Sequence, residues 1–293
     1  MTVNLLCSVF RKIYTGKTDN KPIWQYFFLS ITSFVSLAVF LLWGGVGEIH
    51  NVTLWLGLLY GVIMAVQLLF YMLAVGCGSF AFTTIIVSLG SLLPALSGPI
   101  FYGEGLSVFQ IIGAVLMVIA LILSAGKDTK STRPSVKWLI IVAIAFILAP
   151  CVGLVQKAHQ ETEWKSEING FLILAFSSAT VLMLILFFVS LFAGNRKLRL
   201  STSPEQPLRR VKMPFGIVFV ILVVIAGALI AVNNKLNLYL SGQVDSIIFF
   251  PLVNGGAMVL NTLSGIIVFQ EKPNLRMIMS LLLGTAALVL VCL

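Results

Sequence analysis

Two pairs of side chains that could do chemistry recur at one interval along this sequence. Gln67 and Asn234 are 167 residues apart, and so are Glu104 and Glu271. An amide inside an apolar run can hold a polar solute, because it donates and accepts hydrogen bonds at once. A glutamate at the end of such a run can gate or couple by changing its ion-pair partner. Asn254 and Asn261 add amides to one later apolar run, Ser88 and Ser91 add hydroxyls to an earlier one, and Tyr60 and Tyr71 could stack on or hydrogen-bond a ligand. Gln67, Asn234, Asn254, Ser88, Ser91, Tyr60 and Tyr71 are therefore the candidate pathway-lining residues, with Glu104 and Glu271 the candidates for gating or coupling.

Each has a plainer reading. The amides can pair with neighbouring helices as glue, worth roughly 0.6–2 kcal/mol each, and tyrosines belong to ordinary interfacial belts. Glu104 and Glu271 can cap the positive end of the helix that follows and stay wet. Lys235 can snorkel to the interface. Pro94, Pro251 and Gly255-Gly256 interrupt apolar runs, either freeing carbonyls for a ligand or kinking for close packing. Gly57 and Gly61 read as a helix contact face.

The remaining inventory excludes much. All ten acids lie at helix ends or in loops, so no midplane carboxylate trades a proton for solute. Coupling then runs through an end-of-helix acid, through solute exchange, or not at all. The two histidines, His50 and His159, fall at loop positions and supply neither a metal site nor a nucleophile relay. No Walker loop or Gly-rich phosphate cradle is present, and neither are aspartate-rich diphosphate sites. Cys7, Cys77, Cys151 and Cys292 form no CxxC pair and read as small packing residues. No enzyme activity, cofactor or metal is expected.

The elements that must position these groups follow from composition. Of 293 residues, 59% are apolar and only 10% charged, with a mean hydropathy of +1.06, against about 25% charged in soluble domains. Such a chain cannot coat a water-soluble surface, so its excess apolar side chains face lipid. The net charge of +9 sits in short loops, where anionic lipid explains it better than nucleic acid. Arg11 and Lys12 follow the first apolar stretch, the reverse of a cleaved signal peptide. A helical span needs about 20 apolar residues. Spans are expected at 25–43, 53–75, 79–101, 108–125, 137–156, 168–193, 214–238, 246–269 and 276–292, after an apolar stub at 2–10.

The same 167-residue interval relates whole segments. Leu96-Ser97-Gly98-Pro99-Ile100 leads to Glu104 as Leu263-Ser264-Gly265-Ile266-Ile267 leads to Glu271, and Leu116, Leu121 and Leu123 match Leu283, Leu288 and Leu290. Earlier, Val9-Phe10-Arg11-Lys12 matches Leu154-Val155-Gln156-Lys157 at an offset of 145. The chain thus reads as two units, 1–126 with the stub and four helices, and 127–293 with five. Either the stub is the tail of a tenth helix whose first turns lie outside this sequence, or it is interfacial and nine spans remain; the symmetry favours the first. Two successive five-helix units have opposite orientations. The expected fold is therefore an all-α integral membrane protein of two inverted five-helix repeats, ten transmembrane helices with the first truncated and nine full. Secondary transporters use that architecture to place a site between rocking halves.

Positive loops mark the cytoplasm. Alternate loops hold sixteen of the basic residues and the opposite ones three, Lys157, Lys165 and Lys235. This puts loop 194–213 in the cytoplasm and the C-terminus outside a cell membrane.

These features resemble the drug/metabolite transporter superfamily, in its EamA-like branch. The resemblance spans the whole chain and is carried by Ser97-Gly98…Glu104 with Gly113, and by Ser264-Gly265…Glu271 with Gly284. It implies alternating-access movement of a small polar or amphipathic metabolite without ATP, export being the favoured direction. Its partners would be the solute and the bilayer, with a homodimer among the assemblies open to it. The short first helix and the external C-terminus depart from the family pattern. The competing function is a non-transporting membrane scaffold or regulatory subunit, which has no need of inverted halves.

Overall fold

Long apolar runs can satisfy their backbone groups in lipid only by coiling on themselves, and most of the described residues do so. The computed structural model describes residues 2–18, 21–45, 47–90, 92–105, 107–124, 136–201, 217–270 and 275–291. Among these there is no strand. The helices are α1 (Thr2–Lys17), α2 (Pro22–Gly44), α3 (Asn51–Cys77), α4 (Phe80–Leu89), α5 (Leu92–Phe101) and α6 (Val108–Ser124). Then come α7 (Val136–Gln160), α8 (Ile168–Ser201), α9 (Ile217–Ser241), α10 (Ser246–Phe250), a π-helical turn (Pro251–Gly255), α11 (Gly256–Ile267) and α12 (Leu275–Val291). Among the described residues seven helical stretches are long and apolar enough to cross a membrane. Large apolar side chains such as Leu42, Phe101, Phe192 and Ile267 stand out from the bundle, a surface that only lipid would cover. The protein is an α-helical, membrane-embedded one.

Helix α2 packs against α8 and α9, α3 against α7 and α8, α6 against α12, α4 against α11, and α5 against α10. The main core runs along the first of these contacts. Phe40 meets Phe176 at 5.5 Å between ring centroids, and Tyr60 meets Phe171 at 5.1 Å. On α3, Gly57 and Gly61 form the face that α8 approaches; a β-carbon on Gly61 would overlap the Ala175 carbonyl. Polar bonds tie the helices across the bundle: Ser36 Oγ donates to Gly227 O at 2.7 Å, and Gln156 Nε2 to Asn237 O at 2.9 Å. The bundle thus uses small residues and hydroxyls where helices touch, as expected where lipid removes the hydrophobic drive for helix association.

Three expectations are corrected or made more specific. The stub at 2–10 is instead part of a helix of 16 residues, α1, about 24 Å long at 1.5 Å per residue. Arg11 and Lys12 therefore lie on a helix and not in a loop. Cys7, Arg11 and Tyr14 follow one another at helical spacing, Cys7 and Tyr14 are buried, and α1 packs against α3, α9 and α11. The Lys12 ammonium is satisfied at the C-terminal end of α3, donating to Val75 O (2.8 Å) and Gly78 O (3.1 Å), where the helix dipole favours a cation.

Second, the runs 79–101 and 246–269 are each interrupted, as Pro94, Pro251 and Gly255-Gly256 lead one to expect. Pro94 lacks the N–H that would reach Gly90 O, and Leu93 N takes that carbonyl at 3.2 Å instead, so α4 and α5 part there. In the other run Pro251 opens a π-helical turn ending at Gly255. Third, α8 continues beyond 193 to Ser201, through part of the segment read as loop 194–213.

Candidate functional site

The bundle holds a partly open cavity of about 240 Å³ beside both helix interruptions. From α3 come Tyr60, Met64 and Gln67; from α9 come Asn233, Asn234 and Asn237; Asn254 comes from the π-helical turn. Helix α7 adds Gln156, and α1 contributes Cys7 and Arg11. Pro94 and Phe250 form part of its apolar wall.

Of the candidate pathway residues, Gln67, Asn234, Asn254, Ser88 and Tyr60 all line this one cavity. Tyr71 does not; it is buried with its hydroxyl 3.1 Å from Thr84 Oγ1. Ser91 and Glu271 lie outside the described residues. Asn261 is buried away from the cavity, its amide 3.4 Å from Ser8 Oγ.

The lining groups differ in how much bonding capacity they keep. Asn234 gives its N–H to Ile230 O at 2.9 Å and accepts from Tyr60 Oη at 3.3 Å. Asn254 gives its N–H to Phe250 O at 3.1 Å. Gln156 is engaged with Asn237 O. No hydrogen bond joins the Gln67 or Asn233 amide to another described residue, and the Arg11 Nε is buried without a hydrogen-bond partner.

Glu104 stands outside the cavity, at the end of the crossing of α5 and α10. Its carboxylate pairs with Lys157 Nζ at 2.7 Å and accepts from Ser246 N (2.7 Å) and Ser246 Oγ (3.1 Å). Lys157 is also 2.6 Å from Glu161. The side chains of Lys157 and Glu104 are only 4% and 10% exposed. Glu104 therefore does not cap the helix that follows it, α6, and it is not wet. It caps α10 from across the bundle, while Ser107 and Gln110 make the local bonds at the start of α6. The repeated Ser-Gly…Glu spacing has a direct cause here, since a β-carbon on Gly98 would occupy the place of the Glu104 carboxylate.

At the same end of the bundle, Glu167 accepts from the His50 backbone N–H at 3.1 Å and from the His50 ring, which stacks on Trp164. Partial burial opposes ionisation of Glu167, but hydrogen bonds from Thr53 and His50 outweigh it and hold the carboxyl below its usual range. His159 is not in a loop; it is buried in the last turn of α7 against Phe171 and Thr53. Lys235 caps the face of Trp43 at 4.2 Å. Among the described residues no three His, Cys, Asp or Glu side chains gather to hold a metal ion.

The residues that the sequence reading missed are Arg11, Asn233, Asn237 and Gln156. The helical spacing of Cys7, Arg11 and Tyr14, and of Asn233 and Asn237, was the available signal.

No family model matches this chain, and no curated protein sequence matches it. Twenty-seven chains of solved structures match its fold. One is a protein crystal structure aligned over 99% of this chain and 94% of its own length, with a TM-score of 0.58 at 13% identity. That likeness concerns the fold alone.

Proposed function

We propose that this chain is a secondary transporter of the drug/metabolite type, built of two inverted five-helix repeats, which moves a small polar solute by alternating access without ATP. The observation that carries the reading is the pairing of Gln67 and Asn234. They occupy matching positions in the two halves of the sequence and line the same cavity. A solute site between two halves is what such a transporter needs.

Packing supports the repeat. Taking α1–α6 as the counterparts of α7–α12, the contact of α3 with α8 corresponds to that of α9 with α2, and α4 with α11 corresponds to α10 with α5. The contacts α2–α8 and α6–α12 map onto themselves. On this reading α1 is the tenth, short span. The Glu104–Lys157–Ser246 cluster is the gate at one end of the pathway. Arg11, Lys12 and Lys17 stand on α1 and Arg196, Lys197 and Arg199 on the end of α8, so they leave the loops. The basic residues still gather at the span ends away from Lys157, Lys165 and Lys235; on this reading those ends are cytoplasmic and the C-terminus is outside.

The test is solute counterflow in proteoliposomes across a panel of small metabolites, with Gln67→Ala and Asn234→Ala alongside. Saturable exchange that both variants lose while remaining folded supports the reading. Exchange undiminished in both would move the pathway elsewhere, and no exchange of any solute would favour a scaffold.

A further inference from the structure

The cavity contains one guanidinium and, among its described lining residues, no carboxylate. An arginine lining such a cavity keeps its charge, because it cannot escape by losing its proton. Something must answer it. Three of the described acids are committed elsewhere, Glu104 and Glu161 to Lys157 and Glu167 to His50. No described acid forms an ion pair with Arg11, and its Nε has no hydrogen-bond partner despite full burial of that atom. The Gln67 and Asn233 amides line the same cavity and keep both donor and acceptor capacity.

We propose that the cavity binds a small organic anion, its carboxylate or phosphate group held by Arg11 and its neutral polar part by Gln67 and Asn233. The inference rests on the transporter reading of this cavity and adds the class of solute. Arginine presents a planar fork of donors that matches either oxyanion in two parallel bonds. An organic cation would meet a like charge with no described carboxylate to offset it. Size narrows the class further, because about 240 Å³ is below the ~300–1,000 Å³ of pockets for drug-sized ligands. This volume suits the anionic head of a small solute better than a bulky drug.

The probes are glycerol phosphate, lactate, glycerol and choline, added to the purified full chain at equal ionic strength while its thermal unfolding midpoint is followed. A ligand that binds the folded state raises that midpoint in a saturable way. At least one of the two anions is expected to do so and glycerol and choline are not; which anion prevails separates phosphate from carboxylate recognition. Arg11→Gln should weaken the apparent affinity for that anion at least tenfold, and Arg11→Lys should recover part of it. The comparison of glycerol phosphate with glycerol on the unmodified chain needs no variant, so a poorly folded Arg11→Gln does not protect the proposal. Equal stabilisation by choline or glycerol overturns it, as does anion binding undiminished in Arg11→Gln. So does the absence of any shift at tens of millimolar. If Gln67→Ala still abolishes counterflow in those cases, the transport reading stands and only the anion assignment falls.

Discussion

The Glu104 carboxylate, in the loop after α5, and the Lys157 ammonium, in the last turn of α7, lie 2.7 Å apart and almost shielded from solvent. The pair is not isolated, since Ser246 gives the same carboxylate two more hydrogen bonds. Three parts of the chain, the loop after α5, the last turn of α7 and the first turn of α10, are thereby fastened at one point.

Removing one member of a buried pair strands the other, which typically costs about 3–5 kcal/mol. Glu104→Gln and Lys157→Gln are each expected to lower thermal stability clearly, and the double variant should lose much less than the sum. A double-mutant cycle on unfolding midpoints measures this coupling; additive losses would mean that the pair contributes nothing as a pair.

Gly98→Ala should act through the same carboxylate. The added methyl would take the space of the Glu104 oxygens, forcing the side chain off Lys157. The substitution should destabilise the chain by about 1–3 kcal/mol, the ordinary cost of overpacking, and by far less when Glu104→Ala has already emptied the space. Equal losses in both backgrounds would count against this account of the Ser-Gly…Glu spacing.

Gln67 and Asn234 should separate stability from binding. Asn234 holds Tyr60, so Asn234→Ala is expected to cost about 0.6 kcal/mol or more, the usual scale of interhelical bonds in membranes. Gln67→Ala breaks no bond to a described residue and should leave the unfolding midpoint nearly unchanged while abolishing solute binding. Stability measured without solute, and then solute-induced stabilisation, checks the two statements separately.

Glu167 predicts a pH signature. Its carboxyl is held below the usual range in the folded chain, whereas in the unfolded chain it titrates near about 4.3. The stabilisation is therefore complete above that value and lost as pH falls through the lower, folded one. Relative to the unmodified chain, Glu167→Gln should be less stable at neutral pH, and the difference should shrink towards zero in acid. A difference that persists unchanged in acid would show that the His50 contacts do not depend on the carboxylate charge.

Much of the helical layout was legible because lipid leaves few options. A run such as 53–75 becomes α3 whatever its neighbours do. Gln67 and Asn234, singled out by their spacing, line one cavity. Arg11 was not legible, because a charge next to Lys12 and Lys17 looks like a loop cation. Only the fold supplies the α3 carbonyls that accept Lys12, so that the helix can continue and carry Arg11 into the cavity. The partner of Glu104 was hidden for a similar reason: Ser246 is distant in sequence, and the local reading of a cap on α6 used only nearby residues. The helix interruptions at Gly90 and Pro251 were visible as proline and glycine signals, but whether each would kink a span or split it depended on which N–H groups remained nearby.

The two interrupted helices cross, and their tips are fastened by unlike means. Where α5 meets α10, the fastening is Glu104 with Ser246 and Lys157. Where α4 meets α11, the Phe80 ring lies edge-on to Phe269, with centroids 5.3 Å apart. Parting the first tip wets polar groups, and parting the second wets aromatic rings; hydration of polar and apolar surface changes heat capacity with opposite signs. Warming and cooling would therefore change the cost of parting the two tips in different directions, which makes this crossing a pair of dissimilar springs.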